Sequence, residues 1–213
     1  MIRIVLFTSA LLLAACAAPG AAFPDPALDQ KPTTGLQKAV LGGGCFWCTE
    51  VVYQHVEGVT KVVSGYSGGS KQTANYRAVS TGETGHAEVI EVTYDPKKVT
   101  YGQLLRVFFE VAHDPTQLNR QGPDVGPQYR SVIFYTNEEQ KQIAEAYIAQ
   151  LDEAQVFKQK IVTQVAPLQA FYAAEGYHQD YVNQNPLNPY VRANALPKVD
   201  KLKKACPRLV RKK

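Results

Sequence analysis

The sequence predicts a two-layer α/β (or α+β) domain, because segments typical of strands and segments typical of helices alternate along the chain. Short apolar runs that end at glycine or at Asp-Pro predict strands, whereas longer segments with apolar residues at every third or fourth position predict helices. Long connections separate these segments. With 213 residues, the chain is long enough for one domain with a sizeable core.

The predicted elements begin after residue 38. Strands are expected over residues 39–41, 59–66, 86–94, 130–135 and 161–165. Helices are expected over residues 45–57, 101–111 and 137–155, with a helical turn at 76–79. Asn137 is a favourable N-cap, and the two glutamates that follow it suit the positive end of the helix dipole. Residues 113–126 form a long polar loop, and such loops in compact domains are usually functional.

The N-terminus has the pattern of a bacterial lipoprotein signal. A positive start at residues 1–3 precedes an apolar stretch, 4–12, that is too short to cross a bilayer as a helix. Leu-Ala-Ala-Cys at 13–16 then resembles a lipobox, which implies cleavage before Cys16 and lipidation of its thiol. In lipoproteins, alanine rather than aspartate at position 17 favours the outer membrane. The alternative is an ordinary secretory signal with a chance cysteine.

We therefore divide the chain into four parts. They are a signal peptide (residues 1–15), the lipidated Cys16 with a proline-rich flexible linker (16–36), a catalytic domain (37–197) and a basic C-terminal tail (198–213). The tail carries eight basic residues against one aspartate, a net +7, whereas the whole chain carries +4, so the other 197 residues carry −3. This distribution argues against a nucleic-acid partner. We expect a solvated, partly disordered tail, with attraction to an anionic membrane surface as the alternative.

Two cysteines follow three glycines where the first strand gives way to a helix. At the start of a helix the free N–H groups and the dipole favour an anion, so we expect a lowered pKa for the Cys45 thiol. Cys48 lies three positions later, where Cβ atoms on a helix are about 5–6 Å apart and a disulfide needs a looser first turn. A redox-active pair competes with a structural disulfide or two packed thiols. It also competes with a zinc half-site that lacks two further ligands.

A possible proton donor lies in the third predicted strand. Glu88 shares a face of this strand with Ile90 and Val92, so its carboxyl group is expected to be partly desolvated and to stay protonated near neutral pH. The alternative is a solvated glutamate at a strand end. Asp124 and Tyr129 stand just before the fourth strand, and on their own they indicate little.

Seven segments resemble the A-type peptide methionine sulfoxide reductases, in that family's order, from about residue 38 to 197. The segments are Gly-Cys-Phe-Trp (44–47), Gly-Tyr-Ser-Gly-Gly (65–69), Tyr-Arg-Ala-Val (76–79), Thr-Gly-His-Ala-Glu (84–88), His-Asp-Pro-Thr-Gln (113–117), Gln-Tyr-Arg-Ser (128–131) and Tyr-His-Gln-Asp-Tyr (177–181). The resemblance implies a two-layer sandwich with a mixed sheet, related to the ferredoxin-like plait. It also implies reduction of methionine S-sulfoxide, free and in proteins.

The resemblance assigns the chemistry residue by residue. Cys45 corresponds to the nucleophile that attacks the sulfoxide sulfur, and Glu88 to the acid that protonates its oxygen, which is otherwise a poor leaving group. Phe46 and Trp47 correspond to the pocket for the S-methyl group. The products are then methionine and a Cys45 sulfenic acid, which a second thiol can convert to a disulfide.

Further roles follow from the same resemblance. Tyr76 and Tyr129 correspond to phenols that hydrogen-bond the sulfoxide oxygen, and Asp124 to a supporting carboxylate. Many family members have glycine where this chain has Cys48 and take the resolving thiol from a C-terminal loop. Here Cys48 is the nearer resolving thiol, and Cys206 is a second candidate.

The expected cofactors and partners complete the prediction. No cofactor or metal is expected, and a thioredoxin, or a periplasmic thioredoxin-like domain, would recycle the enzyme. We expect a monomer on the periplasmic face of the outer membrane, attached through Cys16. His86 and His178 are expected to brace the site, and His55 and His113 to be structural. The rival functions are a general thiol–disulfide oxidoreductase and a non-enzymatic lipoprotein that binds partners.

Overall fold

The computed structural model describes residues 23–212, so the predicted signal peptide (1–15) and Cys16 lie outside the described residues. The strands are β1 (Gln37–Gly43), β2 (Val59–Ser67), β3 (Ala87–Tyr94), β4 (Arg120–Gln121), β5 (Asp124–Val125), β6 (Ser131–Tyr135), β7 (Gln164–Pro167) and β8 (Tyr172–Ala173). The helices are α1 (Phe46–Gln54), α2 (Tyr76–Val79), α3 (Tyr101–Val107), α4 (Glu138–Glu153), α5 (Tyr181–Gln184) and α6 (Leu196–Ala205). Wider π-type turns, Phe108–Ala112 and Val191–Ala195, extend α3 and lead into α6.

Six strands form one mixed sheet in the order β7-β6-β1-β3-β2-β8. β7 runs parallel to β6, and all other neighbours are antiparallel. β4 and β5 form a separate two-stranded hairpin. The predicted α/β fold with a central mixed sheet and helices is therefore confirmed.

The alternation of side chains along the central strands builds the two faces of the sheet. Leu41, Ile90 and Ile133 belong to the main core, to which α1, α3 and α4 also contribute. The intervening Val40, Val89 and Val132, with Phe134, form a smaller cluster that Ala166, Leu168 and Phe171 cover. Helices thus pack on one face, and the chain around β7 and β8 protects the other.

Most predicted elements are confirmed, with shifted ends. The strand expected at 161–165 is instead Gln164–Pro167, and its pairing with β6 begins at Val132 and Gln164. Ile161 lies before that strand and fills the core. The loop expected over 113–126 contains the β4–β5 hairpin. Among the described residues, none of the helices is both long and apolar enough to cross a membrane.

The prediction of a flexible linker is wrong for its described part. The carbonyl oxygen of Pro24 accepts a hydrogen bond from Tyr147 Oη at 2.7 Å, and Asp25 forms an ion pair with Arg106 at 2.5 Å. Gln30 Oε1 accepts hydrogen bonds from Tyr94 Oη at 2.7 Å and from the α3 backbone. Polar side chains within the segment and on β3, α3 and α4 thus fix it along the domain, despite its proline content.

The solvated C-terminal tail is also a wrong prediction. Helix α6 crosses the expected boundary at residue 197, and its Val199 and Leu202 are buried. Beyond it, Val210 pairs with Val56, and the Arg211 amide donates to the His55 carbonyl at 2.8 Å. Lys201, Lys203 and Lys204 are exposed on the outer face of α6, whose apolar stripe packs on α1, so the high charge of this segment does not make it disordered.

Candidate active site

The first cysteine lies at the junction of β1 and α1. Gly44 makes the turn with a φ of +90°, a conformation that glycine adopts without strain. Cys45 is the N-cap residue of α1, and its carbonyl oxygen accepts hydrogen bonds from the amides of Cys48 and Thr49. The side chain is only 8% exposed. The glycine turn therefore fixes the thiol at the helix start as predicted, but in a largely dry environment.

Glu88 lies directly beneath the start of α1. Its Oε2 accepts a hydrogen bond from the Phe46 amide at 3.0 Å, and the residue is 3% exposed. Burial raises the pKa of Glu88 to about 8, against the lowering effect of the Phe46 N–H. The carboxyl group therefore carries a proton at neutral pH. The predicted desolvation of Glu88 is confirmed.

The expected lowering of the Cys45 pKa is wrong. Burial raises the pKa of the Cys45 thiol well above its ordinary value, and the neighbouring Cys48 and Glu88 add to the effect. The amide of the first helical residue, Phe46, donates to Glu88 rather than to the thiol. The first amide of the helix therefore bonds to Glu88 rather than to the thiol, and Cys45 is a thiol in the resting protein.

Cys48 is buried beside Cys45, and no disulfide joins the two. A hydrogen bond with the Cys45 side chain and the positive charge of Lys198 lower the pKa of Cys48, against the effect of burial. Cys48 Sγ lies 3.9 Å from Tyr190 Oη. The second thiol is thus the more acidic of the pair.

Trp47 is held from three sides. Its indole stacks on Tyr181, with ring centroids 3.8 Å apart and planes 8° from parallel. Its Nε1 donates to His178 Nδ1 at 3.2 Å, and the edge of the Tyr190 ring approaches at 6.0 Å. Phe46 is buried beneath, 5.0 Å from the His178 ring. These contacts create a rigid aromatic wall next to Cys45.

Two phenols approach the same centre from different elements. Tyr76 begins α2, and Tyr129 ends the short helix Pro127–Tyr129 before β6. Burial raises the pKa of both, and the charges of Glu88 and Cys45 raise it further. The structure thus brings Tyr76 and Tyr129 within electrostatic range of the thiol and the acid, as neutral donors.

Sequence reasoning missed Tyr190 and Lys198. Tyr190 Oη donates to Asp124 Oδ2 at 2.5 Å, which connects Asp124 to the cysteine pair. Lys198 Nζ donates to the Ala112 carbonyl at 2.6 Å, and its charge favours the ionised forms of Cys48 and Asp124. The four-residue spacing of Val191, Ala195 and Val199 does indicate a helix, and all three pack around Cys45 and Cys48.

Two acidic side chains, the buried Glu50 and the partly buried Glu175, brace the segment that carries His178. Glu50, on α1, accepts hydrogen bonds from the Asp180 amide at 3.1 Å, and burial raises its pKa to about 7. Glu175 accepts from Tyr66 Oη and from the Tyr76 amide, both at 2.9 Å. The segment of Glu175 and His178 therefore contacts both the aromatic wall, through His178, and Tyr76, through Glu175.

His86 is held by hydrogen bonds as a brace, and His55 and His113 have structural positions, as predicted. His86 Nδ1 accepts from the Gly69 amide at 3.2 Å, and its Nε2 pairs with the Ser70 carbonyl at 2.9 Å. His113 is buried between the Phe108 carbonyl and Ser131 Oγ, and burial lowers its pKa to about 3. His55 Nδ1 pairs with the Val51 carbonyl at 2.8 Å. None of these three approaches the thiols as a base.

Cys206 lies in a different place. It follows α6, packs in the main core and donates to Glu110 Oε2 at 3.3 Å. Burial raises its pKa to about 12. Cys45 and Cys48 belong to a separate cluster at the other end of α6. The structure therefore brings together eight predicted residues but not Cys206. They are Cys45, Phe46, Trp47, Cys48, Tyr76, Glu88, Asp124 and Tyr129.

The arrangement has a clear chemical use. A buried thiol faces a neutral carboxyl group and two phenols, beside an aromatic wall and a second, more acidic thiol. Such a centre can attack an atom bonded to oxygen while the oxygen receives a proton. Among residues 23–212, no three His, Cys, Asp or Glu side chains group as ligands for a metal ion.

Comparisons with known proteins agree with this geometry. The family model of peptide methionine sulfoxide reductases matches residues 37–209. The peptide methionine sulfoxide reductase MsrA 2 of Mesorhizobium japonicum is 56% identical over 186 residues, covering 87% of this chain and 95% of that protein. MsrA 2 of Synechocystis is 55% identical over 184 residues, covering 84% and 86%.

Solved structures are similar as well. Reduced Mxr1 from Saccharomyces cerevisiae aligns with a TM-score of 0.66 at 34% identity, covering 72% of this chain and 87% of that one. Methionine sulfoxide reductase A of Corynebacterium diphtheriae aligns with a TM-score of 0.64 at 38% identity, covering 73% and 78%. The family match continues past residue 197, in agreement with the packing of α6 on the domain.

Proposed function

The chain belongs to the peptide methionine sulfoxide reductase family and is an oxidoreductase that reduces methionine sulfoxide; from this premise we propose the residues, stereochemistry and recycling of the reaction. Cys45 attacks the sulfur of a methionine S-sulfoxide, free or in a protein. Glu88 gives its proton to the departing oxygen, with Tyr76 and Tyr129 as donors to that oxygen and Asp124 as a supporting carboxylate. Phe46 and Trp47 receive the S-methyl group.

The observation that carries this proposal is the neutral Glu88 beneath a buried thiol. Burial keeps Glu88 protonated, with a pKa of about 8, so it enters the reaction as an acid. As the Cys45 sulfur bonds to the substrate, its proton returns to Glu88. The oxygen takes this proton as well and leaves as water. A second water molecule then adds to the Cys45 sulfur, gives a proton to Glu88 and displaces the thioether as the sulfur–sulfur bond breaks. One thiol and one sulfoxide thus give one sulfenic acid and one thioether, and Glu88 ends protonated.

Recycling follows through a second thiol. Cys48 attacks the Cys45 sulfenic acid, and the resulting disulfide is reduced by an external thioredoxin-like protein. The position of Cys48 next to Cys45 and its lowered pKa support this choice over Cys206, whose thiol lies in the main core. No prosthetic group is needed for either step.

The rival function, general thiol–disulfide exchange, uses the same cysteines but needs no acid for an oxygen. Glu88→Gln separates the two. The variant keeps an acceptor for the Phe46 amide and loses the proton. With dithiothreitol as donor, we expect it to lose release of methionine from the sulfoxide and to keep reduction of a small disulfide. Equal loss of both activities, or of neither, would contradict the role proposed for Glu88.

We also propose that the protein acts in the bacterial cell envelope, attached through lipidated Cys16 to the periplasmic face of the outer membrane. The support is the pattern at residues 1–16, with Ala17 for outer-membrane sorting. Expression in a bacterium fed radioactive palmitate tests this. Label on the wild type, and none on Cys16→Ser, is expected. Equal labelling of both proteins would contradict the anchor.

A further inference from the structure

The C-terminal segment places one phenol against the second thiol. Tyr190 Oη lies 3.9 Å from Cys48 Sγ and donates to Asp124 Oδ2 at 2.5 Å. In the direction that these contacts define, the Cys48 S–H donates to the Tyr190 oxygen, and the Tyr190 O–H donates to the carboxylate. A thiol, a phenol and a carboxylate thus form one continuous hydrogen-bonded chain.

We propose that Tyr190 is a catalytic residue of the disulfide-forming step, relaying the Cys48 proton to Asp124. The proposal rests on the reductase function proposed above. It gives Asp124 a role in the disulfide-forming step, in addition to its supporting role in the first step. Attack on a sulfenic acid needs the thiolate form of the resolving cysteine, and Cys48 is buried away from bulk water. A relay through Tyr190 removes its proton without opening the site.

The step balances as follows in atoms and electrons. Cys48 sulfur bonds to Cys45 sulfur, and the sulfur–oxygen bond of the sulfenic acid breaks. Tyr190 receives the Cys48 proton as it passes its own to Asp124. The departing hydroxide takes a proton from Glu88 and leaves as water. Cys48 is oxidised and the sulfenic sulfur of Cys45 is reduced, so the step needs no external oxidant.

Lys198 favours release of the Cys48 proton and keeps Asp124 ionised, in the form that can accept it. Its charge favours the thiolate of Cys48, and its Nζ is fixed by the Ala112 carbonyl at 2.6 Å. Tyr190 itself is oriented by the Trp47 indole, whose ring centroid lies 6.0 Å away at an interplanar angle of 79°. The phenol therefore has a packed ring and two polar partners, one of which is a reacting atom.

Tyr190→Phe tests the proposal, because it keeps the ring and removes the relay. Pre-reduced protein is mixed with methionine S-sulfoxide without a reductant and quenched in acid at intervals. Methionine reports the first step, and the Cys45–Cys48 disulfide, mapped by mass spectrometry, reports the second. We expect disulfide formation to slow by tenfold or more relative to methionine release, the scale of a lost proton relay. Dimedone should then trap a sulfenic acid at Cys45.

Two further variants keep the test decisive. Asp124→Asn keeps an acceptor for the Tyr190 hydroxyl but not a base, so it should slow disulfide formation more than methionine release. Tyr181→Phe keeps the ring stacked on Trp47 and removes a hydroxyl that bonds to Asn188, so it should leave the ratio of the two rates unchanged. Circular dichroism checks that each variant folds. If Tyr190→Phe does not fold, the ratio of disulfide formation to methionine release in Asp124→Asn decides.

Several outcomes overturn the inference. Wild-type disulfide rates in Tyr190→Phe, or equal slowing of both steps, would leave Tyr190 with a supporting role only. A wild-type disulfide between Cys45 and Cys206 would remove Cys48 from the step. Absence of methionine release from the wild type would overturn the proposed function together with this inference, whereas normal release with unaltered disulfide formation in Tyr190→Phe would overturn the inference alone.

Discussion

Glu88→Gln should stabilise the folded protein at alkaline pH while abolishing its sulfoxide reduction. A buried carboxyl group whose pKa rises from its ordinary 4.5 to about 8 holds a proton that the unfolded chain releases. Between these two values the free energy of unfolding therefore falls as the pH rises. This loss in the free energy of unfolding is absent below about pH 4.5 and complete above about pH 8, where it reaches about 5 kcal/mol. Glutamine cannot ionise, so the variant does not lose stability in this way as the pH rises.

Urea unfolding of the wild type and of Glu88→Gln between pH 5 and pH 9 measures the difference. We expect the variant's advantage to grow across this range and to level off above about pH 8. Glu50→Gln is a matched control. Burial raises the pKa of Glu50 to about 7, so its gain should be about 3 kcal/mol and should level off about one pH unit lower.

A pH-independent stability difference for Glu88→Gln would refute the reasoning. It would mean that Glu88 has the same pKa in the folded and unfolded states, and hence is not held as a neutral acid. A gain that continues to rise beyond pH 9 would instead place its pKa higher than the structure indicates.

Three further predictions concern the wall, the sheet and the thiols. Trp47→Phe loses the hydrogen bond to His178 and should raise KM for the sulfoxide by about tenfold, or ~1.4 kcal/mol, in a steady-state assay. Gly65→Ala would place a Cβ 2.5 Å from a backbone carbonyl of β8 and should lower the free energy of unfolding by about 1–3 kcal/mol in urea titrations. Alkylation of Cys45 by iodoacetamide, followed by mass spectrometry, should be slow at pH 7 and accelerate above about pH 9, because burial raises the pKa of its thiol. Unchanged KM, unchanged stability or rapid labelling at pH 7 would contradict the respective prediction.

Local patterns predicted the parts of the site that depend on local geometry. The parity of Glu88 with Ile90 placed its carboxyl group on the core face of β3, where it is buried. The glycines before Cys45 predicted the turn into α1, which Gly44 makes with a positive φ. Both inferences needed only the alternation of a strand and the conformational freedom of glycine.

Contacts distant in sequence could not be predicted in this way. The Cys45 pKa was expected to fall because the helix N-terminus was treated in isolation, but the Phe46 amide donates to a residue 42 positions away. Tyr190 follows proline-rich turns, and its pairing with Asp124 spans 66 positions. Net charge alone also misled the prediction for residues 198–213, because the apolar stripe of α6 is what determines their packing.

The most direct test of the central claim is methionine release from methionine S-sulfoxide with dithiothreitol as the only reductant. We expect turnover by the wild type, none by Cys45→Ser and none by Glu88→Gln. Turnover by Cys45→Ser, or none by the wild type with its Cys45 thiol intact, would contradict the claim that this buried thiol and its protonated neighbour carry the reaction.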